Sequence, residues 1–253
     1  MAEPTRIGMS TSFDQDIANR LAKAATDSGL TFGELIELWP GFSRRVNFLK
    51  IAALIEIFSL VRDLPGSIVE CGVFRGQSLM LFRQLLEVNS PGDSLRKIIG
   101  FDTFSGFTSL DEKDGPPDVT RAKVVGGWDS SDFFPILQEL INIAQTDSYM
   151  PRVNRVELVK GDVRETIPDY VRSTPGLRIS LLNLDVDLYE PTLIALEHLY
   201  PRVVSGGVVI VDEYAMPGFP GESEALEEFF GSNMPNLKKF SFTATPGAYF
   251  IKN

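Results

Sequence analysis

From residue 67 onward the chain alternates short apolar runs with helical stretches, and no other feature restricts its fold as strongly. The runs SIVEC, KIIGFD, RVELVKGD, RISLLNLDVD and GGVVIVDE have strand length, and QSLMLFRQLLEV, FFPILQELINIAQ, RETIPDYVR and PTLIALEHLY lie between them with helical spacing. Strands that alternate with helices imply right-handed βαβ units and a mostly parallel sheet covered on both faces, so the class is α/β. Two helices precede the first strand: FDQDIANRLAKAATDSG over 13–29, and a longer amphipathic one, FSRRVNFLKIAALIEIFSLVRDLPG, stopped by Pro65 and Gly66. After the last parallel strand, GESEALEEFFGS reads as a helix, and KKFSFTA and AYFIKN read as two strands joined by a tight turn. One stretch resembles a lid: residues 105–129, SGFTSLDEKDGPPDVTRAKVVGGWD, whose Gly, Pro and acidic content argues against a packed element.

The 253 residues, 43% of them hydrophobic, suffice for one large domain with a substantial core. A formal charge of -10 argues against a nucleic-acid partner, which needs clustered Lys and Arg. The start, MAEPTRIGMSTSFDQD, has no apolar export core, and no long apolar run follows, so a cytoplasmic location without membrane contact is expected. With Cys71 as the single cysteine there is no internal disulfide, and with His198 as the single histidine, on a helix away from the strand ends, nucleophile–histidine schemes fall away.

In an open parallel sheet, ligands bind beyond the carboxyl ends of the strands, so each strand end is a place for chemistry. After the first strand stands VECGVFRGQS, with Glu70, Gly72, Phe74, Gly76 and Ser78. Gly72 permits a tight turn, Gly76 permits close approach of a ligand, and the next helix offers free N–H groups. The dinucleotide pattern G-x-G-x-x-G is absent, and the amino-acid part of S-adenosylmethionine fits better than a pyrophosphate. After the second strand, Asp102 and Thr103 stand where ribose hydroxyls would be accepted; a turn or capping aspartate is the bland alternative. After the third, Gly161, Asp162 and Val163 stand where an adenine ring would bind, and Asp162 would equally well cap the next helix. The fourth and fifth strands both end in acids, Asp185 and Asp187, then Asp212 and Glu213. Carboxylates at the ends of apolar strands are costly unless solvated, paired or bound to a cation, and an all-oxygen set suits Mg²⁺. Asp187 would orient its neighbours or cap the helix near Pro191.

At these residues the chain resembles the macrocin-type, metal-dependent O-methyltransferases, which methylate deoxysugar hydroxyls in antibiotic biosynthesis. The resemblance rests on VECGVFRGQS, on GFDTFSGF, on LDVDLYEPTLIALEHLYPRVVSGGVVIVDEY and on the lid, and runs from about Ile51 to the C-terminus. It implies a class I (Rossmann-like) S-adenosylmethionine-dependent methyltransferase fold: a seven-stranded, mostly parallel sheet with an antiparallel C-terminal strand, plus N-terminal helices. Residues 1–65 would be a helical extension making lid or oligomer contacts, and residues 66–253 the catalytic domain. The donor would be S-adenosylmethionine, giving S-adenosylhomocysteine, with Tyr189 and Asp185 completing the cofactor contacts. Mg²⁺ would be held by Asp185, Asp212 and Glu213. Two departures stand out: the fifth-strand pair is Asp212-Glu213 instead of Asp-Asp, leaving direct and water-bridged binding by Glu213 both open, and Leu188 occupies the place of the lysine base of catechol relatives.

The expected activity is therefore methyl transfer to a sugar hydroxyl, with Asp185 as first choice of proton acceptor and Asp187 as second. A catechol- or phenol-directed methyltransferase and a non-catalytic S-adenosylmethionine-binding protein are the competing expectations. A sugar-bearing small molecule is the expected partner, and a homo-oligomer the expected assembly.

Overall fold

The computed structural model describes residues 12–253, with side chains from residue 15, and the polar start at residues 1–11 lies outside the described residues. Helices α1 (Ser12–Asp27), α2 (Phe32–Glu37), α3 (Trp39–Phe42) and α4 (Arg45–Val61) come first. The expected long helix thus starts later, and two short helices occupy the segment before it. Thr31 begins α2 with a capping box, its hydroxyl accepting from the Glu34 N–H while the Glu34 carboxylate accepts from Thr31.

The alternating core follows: β1 (Ser67–Cys71), α5 (Gln77–Asn89), β2 (Ile98–Asp102), α6 (Phe134–Thr146), β3 (Val156–Lys160), α7 (Val163–Ser173), β4 (Ile179–Leu184), α8 (Tyr189–Leu199), β5 (Val203–Val211), α9 (Gly221–Phe230) and β6 (Ala248–Ile251). The strands form one sheet in the order β3-β2-β1-β4-β5-β6, parallel except for the antiparallel β5–β6 pair. Uniformly apolar strands are the mark of a sheet buried on both sides, and here each face has its own core. On one, Val69, Phe101, Leu182 and Val209 pack beneath α7, α8 and α9; on the other, Ile68, Leu181 and Ile210 meet Leu54, Ile57 and Val61 of α4 and Leu79 and Phe82 of α5.

Among the described residues the sheet has six strands, not the expected seven. KKFSFTA contributes only one bridge, in which Lys238 and Tyr249 exchange backbone hydrogen bonds of 2.8 and 2.9 Å. Beyond it the chain leaves the sheet edge, and Phe240 stacks on Tyr249 and lies against Phe242. Phe240 packs with Tyr249 against the core on the α4–α5 face instead of extending the ladder.

The lid segment is also a correction, because it does pack. It forms two 3₁₀ turns, Glu112–Asp114 and Val119–Arg121, and buries two of its charged side chains. Asp114 accepts from the backbone N–H of Tyr189 and Asp111, and Lys123 donates to the carbonyls of Asp114 and Gly218. Polar content excluded a hydrophobic element but not one held by buried hydrogen bonds.

The order of connection reverses at β1, with β2 on one side and β4 on the other. The crevice between the ends of β1 and β4 is the switch point of a doubly wound sheet, where ligands are expected.

Candidate active site at the strand tips

The turn after β1 is held by backbone conformation. Gly72 has φ +90°, and a Cβ there would lie 1.7 Å from the Asp185 carbonyl oxygen, so the two strand tips touch. Gly76, at φ +78°, starts α5 and would press a Cβ against Leu137. Asp102 fixes the same turn from β2: its carboxylate accepts from the N–H groups of Val73, Phe74 and Phe104 at 2.6 to 2.7 Å. Of a carboxylate's roughly four lone-pair positions, three are thus taken. About one acceptor position remains free.

Glu70, at the end of β1, is fully buried. One of its oxygens accepts from Ser78 and from Asn183 of β4, and the other, Oε2, has no partner. Burial pushes its carboxyl up to about 8.

Asp162 takes the capping alternative, accepting from the Arg164 N–H at the start of α7. Its carboxylate also pairs with the Arg164 guanidinium and accepts from Thr108 of the lid segment, and these bonds hold it at about 2. Tyr189 lies elsewhere: its ring and hydroxyl face Lys113 and Glu228.

β4 ends at Leu184, so the two acids of LDVD are not on a continuing strand. Asp187 takes a left-handed conformation at φ 65°, and α8 starts from Leu188 with no side-chain cap, which removes the capping role for Asp187. The chain turns Asp187 inward instead. Carboxylate oxygens of Asp185, Asp187 and Glu213 lie within 4.8 Å of one another. Burial and the charge of Asp185 push Asp187 up to about 7 and Asp212 up to about 6; burial beside Asp187 and Asp212 also raises Glu213.

Two residues that sequence reasoning passed over complete the cluster. Lys50 reaches in from α4 and donates to Asp185 at 2.9 Å and to Asp212 at 2.7 Å. Glu222, fully buried on α9, accepts from the N–H groups of Val186 and Asp187 at 3.1 Å and of Glu213 at 2.9 Å. A signal existed for each: Lys50 lies on the helical face of Leu54, Ile57 and Val61, and Glu222 on that of Ala225 and Leu226. Charged residues on core-facing positions need a partner at the other end.

The acids and the β1 turn open into one cavity of about 950 Å³. Gly72, Phe74, Ser78, Asp102, Thr103, Asp162, Val163, Asp185, Asp187, Asp212 and Glu213 line it, whereas Glu70, Gly76, Gly161 and Tyr189 do not. Its walls come from α1 and α4 as well as from the sheet, and Trp128 of the lid segment lines it edge-on to Phe74. The donor set suits a hard cation: it is all oxygen, and Asp212 Oδ1 and Glu213 Oε2 are buried without a hydrogen-bond partner.

The family model for macrocin O-methyltransferases (TylF) matches residues 43–235. The chain belongs to this family. The curated relatives include a rhamnosyl-tetracenomycin C 4'-O-methyltransferase of Streptomyces olivaceus, 32% identical over 70% of this chain, and the mycinamicin III 3''-O-methyltransferase of Micromonospora griseorubida, 28% identical over 68%. These matches span 65% and 63% of the relatives' lengths, slightly under two thirds. Among solved structures, the calicheamicin methyltransferase CalS11 is 32% identical with a TM-score of 0.89, covering 96% of this chain and 94% of that one. Its apo structure, described as that of a TDP-rhamnose 3'-O-methyltransferase, gives a TM-score of 0.80 at the same identity and covers 96% of each chain. The fold is thus that of the class I S-adenosylmethionine-dependent methyltransferases. The sheet of this chain ends in an antiparallel strand. No helix among the described residues is long and apolar enough to cross a membrane.

Proposed function

We propose that this chain is an S-adenosylmethionine- and Mg²⁺-dependent O-methyltransferase that methylates a hydroxyl of a deoxysugar in the cytoplasm, during the making of an antibiotic natural product. The observation that carries the reading is the meeting of the β1 turn and the acidic tips of β4 and β5 in one cavity large enough for a cofactor and an acceptor. The relatives named for rhamnosyl and TDP-rhamnose substrates support the sugar class.

When bound, the cofactor supplies an electrophilic methyl group, and the divalent ion supplies positive charge that makes a nearby hydroxyl more acidic. The protein's own part is placement and proton handling. The turn at Gly72 and the N-terminus of α5 hold the amino-acid part of the cofactor, with Ser78 and Glu70 behind it. The free lone pair of Asp102, with Thr103, receives the ribose. Val163 and the capped Asp162 border the adenine, and Trp128 and Phe74 cover it. Asp185, Asp212 and Glu213 would hold the ion, Asp212 through its unpartnered Oδ1, and Asp187, whose carboxylate oxygen lies within 4.8 Å of those of Asp185 and Glu213, would join them.

Asp185 faces the cavity more openly than its neighbours and is the first choice of proton acceptor. Asp187, which lines the same cavity beside Asp185, is the second. The lid segment and α4 exclude water. The helices of residues 12–65 act as a wall of the acceptor site and as an oligomer contact, for which the exposed Phe32, Ile36, Trp39 and Phe48 provide an apolar surface. Light scattering on the purified protein tests that assembly.

The reaction is tested by titrating S-adenosylhomocysteine calorimetrically, then assaying methyl transfer to rhamnosyl acceptors and to catechols, with Mg²⁺ and with chelator. Micromolar binding and chelator-sensitive turnover on the sugar are expected, with loss of at least about a hundredfold in Asp185→Asn. Faster turnover of catechols would transfer the chain to the phenol-directed class, and binding without turnover of any diol would make it a cofactor-binding protein.

A further inference from the structure

Lys50 stands where its charge conflicts with that of a bound divalent ion. Its ammonium lies between Asp185 and Asp212, at 2.9 and 2.7 Å, where a divalent ion would take oxygens from the same two carboxylates. An ammonium and a divalent ion sharing one carboxylate repel each other at contact distance. The lysine is not held there by its stem alone. The buried half of α4 begins at Ala53 and Leu54, one turn further on, and the Lys50 side chain keeps a quarter of its surface exposed toward the cavity. A four-carbon stem on that boundary can turn outward without moving the helix.

We propose that Lys50 is a tethered counter-ion that occupies the acid cluster in the metal-free protein and must be displaced when the divalent ion enters. The inference rests on the divalent-ion reading of the site. Without the ammonium, the buried carboxylates of Asp187, Asp212 and Glu213 would crowd beside Asp185 with no cation against them, a strongly unfavourable arrangement. With it, the strand tips keep their shape while empty, and the apparent metal affinity is lowered by the competition. Entry is also selective: a monovalent ion gains nothing over the ammonium already present, whereas a divalent ion brings a second positive charge to the same carboxylates.

The test is binding of Mn²⁺, counted by electron paramagnetic resonance of the free ion, to wild type and to Lys50→Met and Lys50→Gln, with no cofactor or acceptor present. The expected result is a dissociation constant lower by about tenfold or more in both variants. The second readout is thermal melting in chelator, where the variants melt below wild type and recover on adding Mn²⁺, while wild type gains less. Added K⁺ leaves wild-type melting unchanged. Variants that bind Mn²⁺ no more tightly than wild type would overturn the counter-ion role while leaving the metal site standing. Absence of Mn²⁺ binding in all three proteins would overturn the metal reading and this inference with it. If Lys50→Met fails to fold even with Mn²⁺, Lys50→Gln, which keeps a hydrogen-bond donor but no charge, decides the matter by the same comparison.

Discussion

Replacing Gly72 by Ala tests whether the tips of β1 and β4 are as closely joined as the structure shows. The added Cβ would stand 1.7 Å from the Asp185 carbonyl oxygen and 2.5 Å from its carbon, and both are backbone atoms with no rotamer to escape into. Opening the contact from 1.7 to 3.0 Å moves one strand end by 1.3 Å. That movement pulls on the bond from Asp185 N–H to the Cys71 carbonyl and on the one from Gly72 N–H to Phe101, each 2.9 Å. Two weakened hydrogen bonds cost about 1 kcal/mol each. A side chain at φ +90° adds roughly 1–2 kcal/mol, for a total on the order of 3–4 kcal/mol. In a chain of this size each kcal/mol lowers the melting temperature by about 2–4 °C, so a fall of about 10 °C is expected. Because Asp185 moves with the strand, turnover should fall by about a hundredfold. Circular dichroism melts and the methyl-transfer assay measure the two effects, with Gly92→Ala as control, since a Cβ there meets nothing within 4 Å. A Gly72→Ala protein that melts within about 2 °C of wild type and keeps most of its turnover would refute the close approach and the placement of Asp185 built on it.

Glu222→Ala leaves three backbone N–H groups without their acceptor, but it also removes one negative charge from the cluster; a net loss of about 2–4 kcal/mol in urea denaturation is expected, with weaker Mn²⁺ binding although no proposed ligand is changed. Glu70 is raised from 4.5 to about 8 in the fold, so its share of stability is complete below pH 4.5, declines as the unfolded chain ionises, and levels off above about 8. Wild-type stability should therefore drop between those pH values, and Glu70→Gln should flatten part of that slope; an unchanged slope would show that Glu70 is ionised in the fold.

The parallel core was legible because its strands are apolar on both faces and its helices keep their period, signals that local sequence carries in full. KKFSFTA failed because an alternating pattern states only that one face is covered, and Phe240 on Tyr249 satisfies it without a ladder. The acids at the ends of β4 and β5 were legible as a cluster, since a charge closing an apolar run has few bland explanations. Their division of labour was not. Whether Asp162 meets a ligand or caps α7 depends on Arg164 and Thr108, and whether Asp102 is free depends on three backbone N–H groups. Lys50 is 135 residues from Asp185 in sequence, and no local pattern joins them.

The acids of the site fall into two kinds, and the difference explains how so much negative charge is tolerated at one end of the sheet. Glu222 and Asp102 have their oxygens turned to backbone N–H groups of the chain segments that carry the site, so their charge is spent on shaping loops that no ladder holds. Asp185, Asp187, Asp212 and Glu213 accept little from the backbone, and Asp212 and Glu213 each keep a buried oxygen with no partner. A carboxylate that already satisfies backbone donors is a poor ligand, and one with an idle oxygen is a poor structural element. Exchanging the two kinds therefore should not be neutral. Converting Asp212 to Asn removes a charge from the crowded cluster and should stabilise the metal-free protein once Lys50 is also neutral, whereas converting Asp102 to Asn puts an amide N–H₂ where backbone N–H groups now donate, and should destabilise the turn at Phe74 under every condition.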